Sequence, residues 1–215
     1  MIGTTKVQAY VRQIQQFDAA TSNFVSSYKR LLGDSPIMYA TTPGNGDGLI
    51  SVNTTDFNND EVNGYWPTLS LTGFKNPVTG YTAVATFNGQ YPFGAPNAPR
   101  SKLGSDAGIL ASQLLTITNP GYNNFYITAN CTAVSDPSDY NGFCTPAMSD
   151  ADALAADTKM DDGRGDSENI LASDANPSSF YTYAIGAGYV PSSQLSSTSG
   201  KMLVIRIGSQ VGDTK

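Results

Sequence analysis

The sequence predicts an α+β domain in which one long amphipathic helix lies across an antiparallel sheet of about four strands, with long loops between the elements. Three observations predict it. Apolar side chains recur with heptad spacing near the N-terminus, short alternating segments recur after residue 80, and Gly, Pro, Ser, Thr, Asn and Asp crowd the stretches between. A chain of 215 residues suits a single domain over 1–215 with a sizeable core.

The helix is expected over residues 5–31. Val7, Ile14, Thr21 and Tyr28 form one row at seven-residue spacing. Tyr10, Phe17, Phe24 and Leu31 form a second row three residues later, and Val11 and Val25 widen the stripe. Thr21 is the one polar member of the two rows. The packing face is therefore read as Val7, Tyr10, Ile14, Phe17, Phe24, Tyr28 and Leu31, with Gly33 as the stop. The rest of the chain reads as strands and loops, so the helix is expected to lie on a sheet.

Residues 33–80 connect helix to sheet, and residues 33–64 of these are polar. Gly33-Asp34-Ser35-Pro36 leads to Pro43-Gly44-Asn45-Gly46-Asp47-Gly48 and then to a second Asn/Asp cluster. Connections of this length are usually functional, or tied down by an ion or by packing. Trp66, Leu69, Leu71 and Phe74 form an apolar patch suited to a short helix or an irregular segment packed on the main helix. The sheet and a cysteine loop occupy 81–215, with strands expected over 81–88, 109–118, 122–130, 180–190 and 201–207. Asn119-Pro120-Gly121 is a hairpin signal, and the last strand is the most hydrophobic and so central. Ser149-Asp150-Ala151-Asp152 opens a short helix in capping-box style, with Asp in place of Glu or Gln. That helix should run to Met160 and stop at Asp162-Gly163.

Composition narrows the chemistry. Charged residues are 14% of the chain, the formal charge is -6, and histidine is absent. Net negative charge disfavours nucleic-acid binding through phosphates. Without histidine there is no Ser-His-Asp or Cys-His catalysis and no histidine-ligated zinc, and no nucleophile motif replaces them, so the chain is not read as an enzyme. Low charge, abundant Thr, Ser, Asn and Gly, and 12 tyrosines suit an exported surface protein. No apolar run is long enough to span a bilayer. The helical pattern starts directly at the N-terminus, and an apolar segment upstream of Ile2 is expected.

Cys131 and Cys144 are too few for a four-ligand zinc site and too far apart for a redox motif. They suit a disulfide stapling a surface loop, worth about 2–4 kcal/mol. Two reduced thiols are the competing reading. Asp56-x-Asn58-x-Asp60 has the spacing of an oxygen-ligand calcium loop, but Glu61 and Pro67 stand where that loop needs Gly and Glu. Asn45-x-Asp47-Gly48 fits the middle of a similar loop. Calcium ordering the connection and Asx-turns capping their own backbone are the two alternatives. Asp161 and Asp162, expected at a helix C-terminus, need compensation by Lys159, Arg164 or a cation.

Four segments, in order, resemble type IV pilin-like proteins and type II secretion pseudopilins. Tyr28-Lys29-Arg30-Leu31-Leu32-Gly33-Asp34-Ser35 is similar to the end of their long helix, with Leu32 in place of a proline. Gly44-Asn45-Gly46-Asp47-Gly48-Leu49-Ile50 is similar to a Gly/Asn/Asp run in their following loop. Tyr65-Trp66-Pro67-Thr68-Leu69-Ser70-Leu71-Thr72-Gly73-Phe74 resembles their Trp-x-x-Leu-x-x-x-Gly patch. Ala156-Asp157-Thr158-Lys159-Met160-Asp161-Asp162-Gly163 resembles their Ile-Asp-x-Lys-x-Asp-Asp-Gly, with Ala156 in place of Ile. The resemblance implies a pilin-like fold and a structural subunit of a pilus or secretion pseudopilus. Its partners would be other pilin subunits and, through an upstream apolar helix, the inner membrane. It would reside in an extracellular filament or the periplasm. A minor pilin or adhesin-like module, recognising a surface ligand through its loops, is the other function the resemblance allows.

Overall fold

The computed structural model describes residues 2–34, 44, 46, 48, 50, 61–71, 99–103, 107–113, 124–131, 144–145, 148–160, 166–167, 170–174 and 200–207. Within them, α1 (Ile2–Tyr28) is followed by α2 (Glu61–Leu71), β1 (Gly108–Gln113), β2 (Asn124–Cys131), β3 (Cys144–Thr145) and β4 (Met148–Ser149). The helix α3 (Asp150–Met160) and strands β5 (Asp166–Ser167), β6 (Ile170–Asp174) and β7 (Gly200–Arg206) complete the order. The strands expected over 81–88 and 180–190 lie outside the described residues.

Every pairing is antiparallel, in the order β1-β2-β7-β6-β5. Where β2 leaves β7, two short strands continue the ladder: β3 pairs the end of β2 and β4 pairs the start of β7. The pleat sends alternate residues to one face. Ile109 and Ala111 of β1, Tyr126 and Thr128 of β2, Leu203 and Ile205 of β7 and Ile170 of β6 are all buried. Register aligns them in rows, with Ala111, Ile205 and Ile170 linked across the ladder through Tyr126.

α1 buries Val7, Tyr10, Val11, Ile14, Phe17, Ala20, Thr21 and Phe24. Of these, Tyr10 and Thr21 bond to that face and Phe17 sets its ring against Tyr126, while the helix also packs on α2 and α3. Its 27 residues span about 40 Å at 1.5 Å per residue. The helix stops three residues before the expected end. Lys29 takes a left-handed conformation at φ 56, its N–H bonded to the Val25 carbonyl at 2.8 Å. The heptad rows therefore lose their last members. Leu31 falls beyond the helix and is half-exposed, and Tyr28 is 41% exposed with its ring against Phe24. Val25, read as part of the stripe, is 37% exposed. Gly33 is not the stop but a second left-handed residue, at φ 86. A Cβ there would sit 2.5 Å from the Glu61 carbonyl oxygen, so the chain passes the start of α2 only as glycine.

α2 begins at Glu61, inside the stretch read as a polar connection, and carries Gly64 and Pro67 in its interior. It inserts Tyr65 and Trp66 between α1 and the sheet. Trp66 meets Phe17 edge-on at 4.8 Å and stacks near Tyr126 at 6.1 Å. Three hydroxyls from three elements close a triangle in this core. Thr21 of α1 bonds Tyr65 of α2 at 2.6 Å and Tyr126 of β2 at 3.0 Å, and the two tyrosines bond each other at 2.9 Å. Each hydroxyl can donate once and accept once, so the ring satisfies itself without water. One end of α1 is tied separately, by Tyr10 Oη to Thr128 Oγ1 at 2.7 Å.

α3 lies on α1, β4 and β7 through a face that includes Ala153 and Ala156, small enough for close approach. Ser149 caps it, with Oγ accepting the Asp152 N–H at 3.2 Å and donating to Asp152 Oδ2 at 2.9 Å. Asp150 is buried in the first turn, where the helix dipole favours an anion.

Two outcomes follow from this core. Phe24→Ala should lower stability by about 3–5 kcal/mol, read as a shifted urea midpoint, because the cavity opens under a helix that the hydroxyl ties hold in place. An unchanged midpoint would contradict a docked helix. Burial raises the pKa of Tyr10, Tyr65 and Tyr126 well above that of a solvated phenol, and the buried Asp18 carboxylate adds to this at Tyr65 and Tyr126. The folded chain thus holds these protons more tightly than the unfolded one. Their stabilisation is complete below about pH 10 and is lost above it, at about 1.4 kcal/mol per pH unit for each tyrosine. Alkaline titration at 295 nm should show these three ionising together with unfolding, separately from exposed tyrosines.

Candidate functional site

The best-defined polar site outside the core lies where α1 hands the chain to its long connection. Asp34 follows the left-handed Gly33 and is buried. Its Oδ1 accepts the Gly46 N–H at 2.5 Å and its Oδ2 accepts the Gly48 N–H at 2.7 Å. Arg30 Nη1 donates to the Gly46 carbonyl at 2.9 Å. Asn124, the first residue of β2, completes the clasp: its Nδ2 donates to the Gly48 carbonyl at 2.9 Å and its Oδ1 accepts the Ile50 N–H at 2.7 Å. Ile50 is fully buried just beyond.

Glycine is what lets this strap close. Gly46 and Gly48 have φ 82 and 85, a region that L side chains avoid. Gly44 passes so near Asp34 that an added Cβ would overlap its backbone. The N–H groups of Gly46 and Gly48 both point at one carboxylate, as backbone donors do in anion sites. Here the anion is the chain's own Asp34, and the arrangement ties the end of α1 to the start of β2.

The residues read as calcium ligands fall around this clasp in sequence. Asn45 and Asp47 alternate with its glycines, and Asp56, Asn58 and Asp60 follow; all five lie outside the described residues, as do Asp161 and Asp162. Among the described residues no group of three or more acidic or cysteine side chains could hold a metal ion. The helix-face residues Val7, Tyr10, Ile14, Phe17 and Phe24 are buried, and Trp66 is buried with them, away from any surface ligand. Cys131 ends β2 directly opposite Cys144, which begins β3. Among the described residues no helix is long and apolar enough to cross a membrane.

Asp34, Arg30 and Asn124 were not singled out from the sequence. The signal available was glycine at every second position from 44 to 48, which frees backbone donors, together with an acid just past the helix. Asn124, far along the chain, gives no local sign of its role.

Comparison with protein-family models, with curated proteins and with solved structures gives no match for this chain.

Asp34→Asn should cost about 1.5–3 kcal/mol, since one neutral amide cannot accept both charge-assisted bonds. Amide exchange at Gly46 and Gly48 should accelerate in the same variant. Unchanged protection at both amides would show that the clasp does not hold the strap.

Proposed function

We propose that this chain is the globular part of a structural subunit of a type IV pilus or related type II secretion pseudopilus, and that it acts by filament assembly. The observation that carries the reading is the two-sided character of α1. One face is buried in the sheet, while the exposed positions include Gln8, Ala9, Gln15, Gln16, Ala19, Asn23, Ser26 and Ser27. Solvent-facing helices are normally rich in charge. These positions are small or polar and uncharged, a surface that further subunits can cover at lower cost than a charged one where its amides and hydroxyls find partners.

The four segments that resemble pilin-like proteins support the same reading, and the structure gives three of them work to do. The first contains the Lys29 stop and Asp34, the second forms the strap, and the third supplies Tyr65 and Trp66 to the core. An apolar helix upstream of Ile2 would anchor the subunit in the inner membrane before assembly and pack within the filament afterwards. We also propose a disulfide between Cys131 and Cys144. Directly opposed residues of an antiparallel pair have Cα atoms about 4.5–5.5 Å apart, within the span of about 4.4–6.8 Å that a disulfide bridges.

The reading is tested in the gene and in the filament. The reading frame upstream of Ile2 should encode a short basic leader and about 20 apolar residues with one early glutamate. Mass spectrometry of sheared surface filaments should then recover this chain. An ordinary cleaved signal peptide, with no chain in the filaments, would overturn it in favour of a secreted binding module.

A further inference from the structure

We infer that Asn45-Gly46 and Asp47-Gly48 are two sites of self-modification through a cyclic imide, and that the Asp34 carboxylate guards both. The inference stands on the clasp and does not depend on the filament reading.

Asn-Gly and Asp-Gly are chemically weak pairs, because glycine places no side chain in the way of its own nitrogen. At Asn45 the Gly46 nitrogen attacks the side-chain Cγ. A five-membered succinimide closes, the Gly46 N–H proton is lost, and the side-chain nitrogen leaves as ammonia. At Asp47 the Gly48 nitrogen attacks the protonated carboxyl in the same way, and water leaves. Water then opens either ring at one of its two carbonyls, giving aspartate or isoaspartate. The reaction consumes nothing but water.

The two attacking nitrogens are the two that Asp34 holds. Gly46 N–H donates to Oδ1 at 2.5 Å and Gly48 N–H donates to Oδ2 at 2.7 Å. An amide nitrogen becomes a nucleophile only as its proton departs. A carboxylate is far too weak a base to take that proton, and its charge beside the nitrogen opposes the anion that deprotonation forms. Ring closure therefore requires the clasp to open first. The carbonyls of the same two glycines are held as well, Gly46 by Arg30 Nη1 and Gly48 by Asn124 Nδ2, each at 2.9 Å.

The strap cannot shed its weak pairs by exchanging the glycines. Both have positive φ, and a Cβ on Gly46 would meet Arg30 Nη1 at 2.5 Å. Conversion is also one-way. Isoaspartate adds a carbon to the main chain between donors that must reach one carboxylate. At position 45 it adds a second negative charge as well. A converted strap no longer matches Asp34, so an opening that lasts long enough for ring closure becomes permanent.

The test holds the purified chain at neutral pH in heavy-oxygen water, which marks every ring that opens, and maps peptides with isoaspartate resolved from aspartate. Conversion at Asn45 and Asp47 should be at least about tenfold slower in folded wild type than in wild type unfolded by guanidinium chloride. It should rise by about tenfold in folded Asp34→Asn, which loses charge-assisted bonds to both nitrogens. Asn124→Ala loosens the strap from the sheet side and keeps the carboxylate, and should give a smaller rise at both pairs. Asn63-Gly64, inside α2, reports loss of the fold and should keep its wild-type rate in both variants. Folded wild type converting as fast as unfolded chain overturns the inference. Slower conversion in Asp34→Asn also overturns it, and makes the carboxylate a base for the reaction. An equal rise at Asn63 shows that Asp34→Asn has unfolded; Asn124→Ala then decides, and no rise there at either pair overturns the inference.

Discussion

Three hydroxyls, one from each of three elements far apart in sequence, fix how this domain is put together. Thr21, Tyr65 and Tyr126 are buried, and the hydroxyl of each is hydrogen-bonded to those of the other two. A buried hydroxyl left unpaired costs about 1–3 kcal/mol, so α1, α2 and β2 are locked into one relative placement. Apolar packing alone would tolerate a helix sliding by part of a turn along a flat sheet. A closed triangle of directional bonds does not. The aromatic rings around it, Phe17 against Trp66 and Trp66 against Tyr126, then supply the buried area that makes the placement stable.

The clasp at Asp34 depends on that placement. With α1 and β2 held side by side, the end of the helix and the first residue of β2 come near enough for one strap to bond both. Asp34 and Arg30 hold it from the helix end, and Asn124 holds it from the sheet. Lys29 and Gly33 are both left-handed, and together they turn the chain from the helix axis onto this path. A lysine at φ 56 carries strain that a glycine would not, so the surrounding contacts must hold it there.

How much of this the sequence disclosed differs by element. The heptad rows made the body of α1 legible, because burial imposes a period on apolar residues. Thr21 was visible only as a blemish in that stripe, since a hydroxyl's distant partners leave no local trace. The end of the helix was misplaced because its left-handed residue is lysine, while sequence rules look for glycine. α2 was half-hidden by Gly64 and Pro67, which read as breakers, although tertiary packing outweighs their propensity cost. β7 stood out as a continuous apolar run, and β1 and β2 flank the Asn119-Pro120-Gly121 turn signal, whereas β6 (Ile-Leu-Ala-Ser-Asp) is short and was not singled out. At the candidate site the glycine run was legible, but the side chains that close it were not. Their bonds span up to 76 positions in sequence.

The outer surface of α1 is governed by a different constraint from its inner one. The inner face must satisfy the triangle and fill the sheet, which leaves little freedom at Tyr10, Phe17, Thr21 or Phe24. Nothing in the core dictates the outer face, yet it has neither the carboxylates nor the charge pairs that commonly decorate a solvated helix. Its two exposed charged residues, Lys6 and Arg12, are both positive and lie in its first half, beside a turn that Gln13 holds in place. In the proposed filament, where neighbouring copies would cover this face, uncharged positions lower the cost of desolvation relative to charged ones.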